Sequence, residues 1–138
     1  MFDGMENRIA GAVFAIPAVK GIEFGAGFAM SDWRGSAAND PLRMAGERVV
    51  TATNNSGGIN GGISNGMPVT FRCAVKPTAS IYKEQPTVDI YNRKEENIII
   101  KGRHDPCIAH RARVVVDSMA AIVVTDALLQ RYGNDALK

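Results

Sequence analysis

Three polar side chains of different chemistry stand side by side at Arg103, His104 and Asp105, and Pro106 follows them directly. A proline disfavours helical backbone for the residue before it, so this segment is predicted to be extended. Alternate side chains of an extended segment share a side, which puts Arg103 and Asp105 on one side and His104 on the other. A guanidinium beside a carboxylate suits an anionic substrate that also exchanges a proton. A structural ion pair at the start of a helix would use the same residues, and the pattern leaves both readings open.

A lysine and two hydroxyl side chains, Lys76, Thr78 and Ser80, occupy alternate positions where a strand is predicted to end. They can supply one positive charge and two hydrogen-bond donors to a phosphate, although a polar strand exit would look the same. The glycine-rich residues 57–62 lack both the dinucleotide fingerprint and the phosphate-loop lysine. Their bare backbone could approach a planar or phosphorylated ligand, or could simply connect a hairpin.

The cysteines and histidines do not form a recognisable ligand set. Cys73 and Cys107 make no Cys-x-x-Cys pair, so neither a disulfide framework nor structural zinc is expected. His104 and His110 have no acidic partner at metal-ligand spacing, and no metal is expected there. Cys107 has no evident base and is expected to be a packing residue.

Length and charge narrow the class of protein. A chain of 138 residues suggests one domain or a piece of one. The net charge of +2 is too balanced to indicate a nucleic acid or an anionic membrane surface as partner. No signal peptide is expected, because charged residues interrupt the apolar pattern of the N-terminus, and no uncharged run could span a bilayer. The expected location is therefore the cytoplasm.

Hydrophobic periodicity predicts two helices, four strands and polar connections. The first helix starts at a capping box formed by Asp3 and Glu6, and Pro17 ends it. Asn65-Gly66 is predicted to be a two-residue hairpin turn. The last helix has almost no polar face in its first half, so it is expected to be buried on all sides. The predicted helices cover 2–16 and 112–132, the strands 19–28, 48–53, 69–76 and 97–100, and the polar connections 31–46 and 84–96.

Five motifs in this order resemble the chorismate synthase family, and the resemblance runs over nearly the whole chain. They are Phe2-Asp3, residues 16–25, residues 53–66, Lys76-Pro77-Thr78, and residues 102–107. The resemblance implies an α+β fold, part of a β-α-β sandwich with central helices between antiparallel sheets. Family members are much longer, so residues 1–138 are expected to form the C-terminal segment of a single domain.

The resemblance also implies a reaction. The family converts 5-enolpyruvylshikimate 3-phosphate to chorismate by a 1,4-anti elimination of phosphate in the shikimate pathway. It uses reduced FMN, which is not consumed overall, and its members are typically homotetramers. This chain is expected to be inactive alone, because the missing segments carry further histidines and arginines. The alternative is a self-sufficient flavin- or phosphate-binding module without chemistry.

Site residues follow from the resemblance position by position. Asp105 matches an aspartate near the flavin N5 that shuttles a proton, and Arg103 matches an arginine at the flavin and substrate, so both are expected to be catalytic. Asn60 stands where a leucine-like residue is usual, which could loosen its loop, and Asp117 stands where glutamate is preferred. The residues expected to bind FMN are Pro17 (asparagine in some members), Ala18, Gly61, Lys76, Pro77, Thr78, Ala79, Ser80 and Arg103.

Overall fold

The N-terminal helix α1 (Met5–Phe14) is the centre around which the small core is built. This computed structural model describes residues 2–133 and 135, so Met1, Asn134 and residues 136–138 of the predicted domain lie outside it. Ile9 and Val13 are four residues apart, share one face of α1, and are almost completely buried. The helix ends shortly before Pro17, as predicted.

The capping box predicted at the start of α1 is wrong. The N-cap residue is Gly4, and no side chain caps the helix. The Asp3 carboxylate instead lies 2.6 Å from the Arg8 guanidinium, which competes for it more strongly than a backbone N–H would. Arg8 also donates to the Gln130 side chain at 2.6 Å, so it joins α1 to the last helix.

The most extensive long-range pairing joins β1 (Val19–Phe24) to β6 (Phe71–Val75) in an antiparallel ladder. The register pairs Val19 with Val75 and Phe24 with Phe71, with an irregularity after Val19. In β6 the half-buried and exposed residues alternate, which confirms the predicted half-buried strand. The predicted strand 19–28 is too long, because the chain turns at Gly25 and enters a 3-10 helix at Gly27–Asp32.

Three further antiparallel hairpins complete the β structure, and two of them lie partly or wholly in regions predicted to be loops. The turn predicted at Asn65-Gly66 is wrong: the hairpin there turns at Gly61 and Gly62, whose φ angles are +58° and +83°. A short helix α2 (Gly35–Ala38) precedes the first hairpin. The hairpins are β2 (Leu42–Ala45) with β3 (Arg48–Thr51), β4 (Ile59–Asn60) with β5 (Ile63–Ser64), and β7 (Glu84–Asp89) with β8 (Lys94–Ile99).

The last helix, α3 (Ala109–Tyr132), begins three residues before its predicted start and packs along one face against α1. Val116, Met119 and Val123 on that face contact the core. The prediction that α3 is buried on all sides is wrong for this chain, since none of its residues is fully buried and Val114 and Ile122 are 60% and 61% exposed. The part of the chain described here supplies a neighbour for one face of α3 only.

The combination of helices and antiparallel ladders is an α+β fold, as predicted. Its apolar core consists of residues from α1, from the turn after α1, from the start of β1 and from β4. The buried hydrophobic side chains are Ile9, Val13, Ile16, Val19 and Ile59.

Candidate functional site

Two of the segments predicted to bind flavin are held side by side at one end of the β1–β6 ladder. The backbone N–H of Lys76 donates to the carbonyl oxygen of Ala18 at 2.7 Å, one step beyond the pairing of Val19 with Val75. Ala18 has φ +70°, a left-handed conformation that is uncommon for a residue with a Cβ. The main chain therefore turns sharply at Ala18, and this turn presents its carbonyl to Lys76.

Lys76 and Thr78 leave a positive charge and a hydroxyl available beside this junction. Lys76 is exposed and enters no ion pair among residues 2–133 and 135. The Thr78 Oγ1 atom is buried and has no hydrogen-bond partner in the part of the chain that the structure describes. An unsatisfied buried hydroxyl costs stability, and a bound oxygen ligand would relieve that cost. This donor set fits a phosphate group.

The glycine-rich loop has two different parts. A Cβ on Gly57 would come within 2.4 Å of the Gly25 backbone nitrogen, and one on Gly58 within 2.5 Å of the Pro68 oxygen, so these glycines permit close packing inside the chain. A Cβ on Gly61, the predicted flavin contact, would meet no atom within 4 Å. Only Gly61 of these three has the open surroundings that a ligand needs.

Gly61 lies away from the junction of Ala18 and Lys76. The next residue, Gly62, accepts a hydrogen bond from the backbone N–H of Met5 at 2.9 Å, at the start of α1. Ala18 follows the other end of that helix, about 15 Å away along its axis at 1.5 Å per residue. This chain therefore does not bring Gly61 together with Ala18 and Lys76.

Asn60 tightens the hairpin that carries Gly61, contrary to the expected loosening. The Asn65 amide donates to the Asn60 side-chain oxygen at 2.6 Å across the β4–β5 hairpin. A leucine-like residue at this position could not accept that hydrogen bond.

Asp40 fixes the entrance to the glycine-rich loop, and nothing in the sequence pattern singled it out. Its carboxylate accepts the Thr53 hydroxyl at 2.6 Å and the backbone N–H groups of Asn55 and Ser56 at 2.7 and 2.9 Å. Burial raises the pKa of Asp40, but these hydrogen bonds outweigh it and lower the pKa to about 2. The residue is a charged anchor for the loop at neutral pH.

The predicted catalytic segment lies in irregular backbone just before α3. Asp105 is half-buried, and its Oδ2 atom lies 2.9 Å from the Nη1 atom of Arg111, in the first turn of the helix. An ion pair at a helix start is the structural alternative that the sequence left open. Arg103 is exposed and enters no ion pair within the described ranges. Cys107 is exposed, so its expected packing role is wrong, because α3 begins only after it.

An open groove connects the end of β6 with the start of α3. It has a volume of about 500 Å³, and Val75 and Ala109 both line it. Val75 directly precedes Lys76 in the sequence. Ala109 lies four residues after Asp105, which belongs to the predicted catalytic segment. The charged residues in its lining are Arg72, Arg113 and Asp117. The groove is therefore lined by residues that lie close in sequence to the phosphate-type donors and to the predicted catalytic segment.

Metal-binding clusters and membrane-spanning helices are both absent from the part of the chain that the structure describes. No group of three or more histidine, cysteine, aspartate or glutamate side chains there could hold a metal ion. None of the helices in residues 2–133 has the length and hydropathy needed to cross a bilayer.

Comparison with known proteins gives a consistent family. The family model described as chorismate synthase matches residues 1–129. A chorismate synthase from Dehalococcoides mccartyi is 52% identical over 94% of this chain and 36% of its own length. One from Chitinophaga pinensis is 51% identical over 99% of this chain and 41% of its own length. One from Archaeoglobus fulgidus is 50% identical over 95% of this chain and 36% of its own length.

A solved structure agrees with the sequence relatives. The crystal structure of a chorismate synthase superposes with a TM-score of 0.75 at 32% identity and covers 96% of this chain and 33% of that one. The chain thus spans 33–41% of the length of these proteins that it matches. With a family model that covers most of its residues and relatives about half identical to it, the chain belongs to the chorismate synthase family.

Proposed function

We propose that residues 1–138 form the C-terminal part of a chorismate synthase, which converts 5-enolpyruvylshikimate 3-phosphate to chorismate by 1,4-anti elimination of phosphate. The observation that carries this proposal is the match of residues 1–129 to the chorismate synthase family model. The proposed assembly is a homotetramer in the cytoplasm, as expected from the family resemblance. The chain's neighbouring donors at one end of the β1–β6 ladder give the proposal a physical basis.

Reduced FMN is the proposed cofactor, and the residues at the ladder end suit its phosphate. Within the described residues, Lys76 brings an ammonium group without an ion-pair partner, and Thr78 brings a hydroxyl without a hydrogen-bond partner. Pro77 lies between these two residues, Ala79 follows Thr78, and Ser80 extends the row of hydroxyls. When bound, reduced FMN supplies the electron density that assists loss of the substrate phosphate. Pro17, Ala18, Gly61 and Arg103 are proposed as its other contacts, with Gly61 reaching it only if the assembly brings the hairpin tip close.

Arg103 and Asp105 are proposed to act on the substrate itself. As the C–O bond breaks, the departing phosphate takes the electron pair, and a guanidinium stabilises the growing negative charge. Arg103 is suited to this because its guanidinium has no carboxylate partner in the described chain. The ring loses a proton in the same overall elimination, and the Asp105 carboxylate is the proposed acceptor.

The isolated chain is predicted to be inactive, because most of the length of a family member is absent from it. The measurement is chorismate formation from 5-enolpyruvylshikimate 3-phosphate with reduced FMN, by this chain and by a family-length protein that contains it. We expect activity in the longer protein alone. Turnover by residues 1–138 alone would contradict the prediction that the isolated chain is inactive.

Asp105→Asn in the family-length protein is predicted to lower turnover by about a hundred-fold or more, the usual contribution of a positioned acid or base. FMN affinity should hardly change, because Asp105 contributes no proposed contact to the phosphate. Steady-state turnover and flavin titration measure the two quantities, and Asp32→Asn, a change at an exposed carboxylate in the 3-10 helix, is the control. Unchanged turnover would remove the proposed role of Asp105.

Flavin titration also separates this proposal from a binding module without chemistry. A module would bind FMN tightly as the isolated chain. The proposed enzyme would bind it weakly until the rest of the site is present, because Gly61 and the junction of Ala18 and Lys76 lie at opposite ends of α1.

A further inference from the structure

Asp105 needs an orienting partner, because its own backbone does not fix its side chain. The segment before α3 forms neither a helix nor a strand. Pro106 restricts the main chain at Asp105 but leaves the carboxylate free to rotate about its side-chain bonds. A carboxylate that must meet a substrate hydrogen within hydrogen-bond reach requires a second group to hold it.

Arg111 is placed to be that group. Its backbone N–H donates to the carbonyl of Ile108 at 3.0 Å, so the first turn of α3 fixes its position. Its Nη1 atom lies 2.9 Å from Oδ2 of Asp105. The second carboxylate oxygen, Oδ1, has no hydrogen bond or ion pair within residues 2–133 and 135, which leaves it available to a substrate.

The other cationic residues close to Asp105 in the sequence form no ion pair with it. Lys101, Arg103 and Arg113 enter no ion pair in the described part of the chain. Helix α3 therefore supplies one cation, Arg111, to one carboxylate oxygen of Asp105. The two arginines have different roles, because Arg111 is paired with Asp105 whereas Arg103 is available to bind an anion.

From this contact we infer that Arg111 is a positioning residue, which orients the Asp105 carboxylate for proton transfer in the proposed elimination. The inference rests on the proposed function. It assigns Arg111 no contact with substrate or flavin, so its loss should affect turnover through Asp105 alone.

The test is a double-mutant cycle in the family-length protein. Arg111→Gln should lower kcat by about ten- to a hundred-fold, the cost of a slightly misplaced reacting group, with little change in KM or in FMN affinity. Arg111→Lys keeps the charge but loses the planar fork, so it should recover part of kcat. In an Asp105→Asn background, Arg111→Gln should cost less than about two-fold further, because residues acting as a unit are not additive.

Arg131→Gln, at the far end of α3, is the control and should keep full turnover. If the unaltered protein forms chorismate while Arg111→Gln retains its kcat, or if the Arg111 and Asp105 losses multiply, the inference is overturned and the proposed function stands. An unaltered protein that releases no phosphate overturns both. If Arg111→Gln does not fold, the same cycle is run with Arg111→Lys and judged by the same non-additivity.

Discussion

At the scale of single residues, the candidate phosphate site is defined by groups that the fold leaves unsatisfied. The buried Thr78 hydroxyl lacks a partner, and the neighbouring Lys76 ammonium lacks a carboxylate within the described chain. Most buried polar groups in proteins are hydrogen-bonded, so an unsatisfied hydroxyl two residues after an unpaired lysine supports the proposed phosphate contact. The hydrogen bond from the Lys76 backbone to Ala18 holds this pair in place.

Lys76→Ala is predicted to weaken FMN binding by about ten- to a hundred-fold, because hydrogen bonds to charged groups contribute about 1.5–3 kcal/mol. The measurement is the FMN dissociation constant of the family-length protein by fluorescence titration. Lys94→Ala is the matched control, since Lys94 is an exposed lysine on β8. Equal affinities for the two variants would exclude a phosphate contact by Lys76.

The residue scale also shows what a sequence pattern can and cannot determine. The spacing of Lys76, Thr78 and Ser80 predicted a set of hydrogen-bond donors for a phosphate. Within the described chain, the Lys76 ammonium has no ion-pair partner and the Thr78 hydroxyl has no hydrogen-bond partner. The partner of Asp105 was not predictable, because Arg103 and Arg111 are both within reach along the sequence and only the start of α3 decides between them. The role of Asp40 was not predictable either, because its partners Thr53, Asn55 and Ser56 lie more than ten positions away.

At the scale of elements, β structure was predicted best where one face of a strand is buried, and it was missed or predicted only in part where both faces are exposed. Strand β6 alternates in polarity because one side contacts the core. All six residues of β8 are exposed, so its sequence carries no period of two. Residues 97–100 were predicted to be a strand, but β7 and the first half of β8 were predicted to be a polar connection. In the β2–β3 hairpin, β3 lies within the predicted strand 48–53, whereas β2 was missed because every one of its residues is exposed.

Asp40 is the element-scale link between α2 and the glycine-rich loop, and its ionisation should contribute to stability. Its pKa in the folded chain is about 2, against 3.8 for an ordinary aspartate. A lowered folded-state pKa gives stability that is complete above the unfolded value and is lost as the pH falls through the folded value. The contribution of Asp40 should therefore be full above about pH 5 and disappear between there and pH 2.

Asp40→Asn is predicted to lower the free energy of unfolding by about 1–3 kcal/mol at pH 7, because it removes a charged acceptor from three donors. Urea unfolding of both proteins from pH 7 to pH 2 measures this. The difference between them should shrink towards pH 2, while other carboxylates titrate alike in both. A difference independent of pH, or one matched by the exposed-site variant Asp32→Asn, would mean that the Asp40 charge does not hold the loop.

At the scale of the whole molecule, the chain has a small core and a long helix with two apolar sides. One side of α3 packs through Val116, Met119 and Val123. The other side carries a second stripe, in which Val115 and Ile122 are seven residues apart and 45% and 61% exposed. The all-round apolar sequence of α3 predicted burial on all sides, but the described chain covers one side only, because sequence could not show which neighbours this stretch of chain provides.

This second stripe should make the isolated chain associate, because contiguous exposed apolar surface on a helix favours burial against another surface. We expect the 138-residue chain to bind the dye ANS and to sediment with a mass that rises with concentration. Ile122→Glu should reduce both effects by placing a charge in the middle of the stripe. The matched control is Val49→Glu, since Val49 is 60% exposed on β3, away from α3. A chain that stays monomeric without dye binding, or an equal response to both substitutions, would show that the stripe is not an association surface.

In a family-length chorismate synthase the same stripe should be covered by other parts of the protein. Ile122→Glu should therefore lower the free energy of unfolding of that protein, because it buries a charge, although it reduces association of the isolated chain. These opposite effects distinguish a face that is buried in the longer protein from one that is only prone to associate.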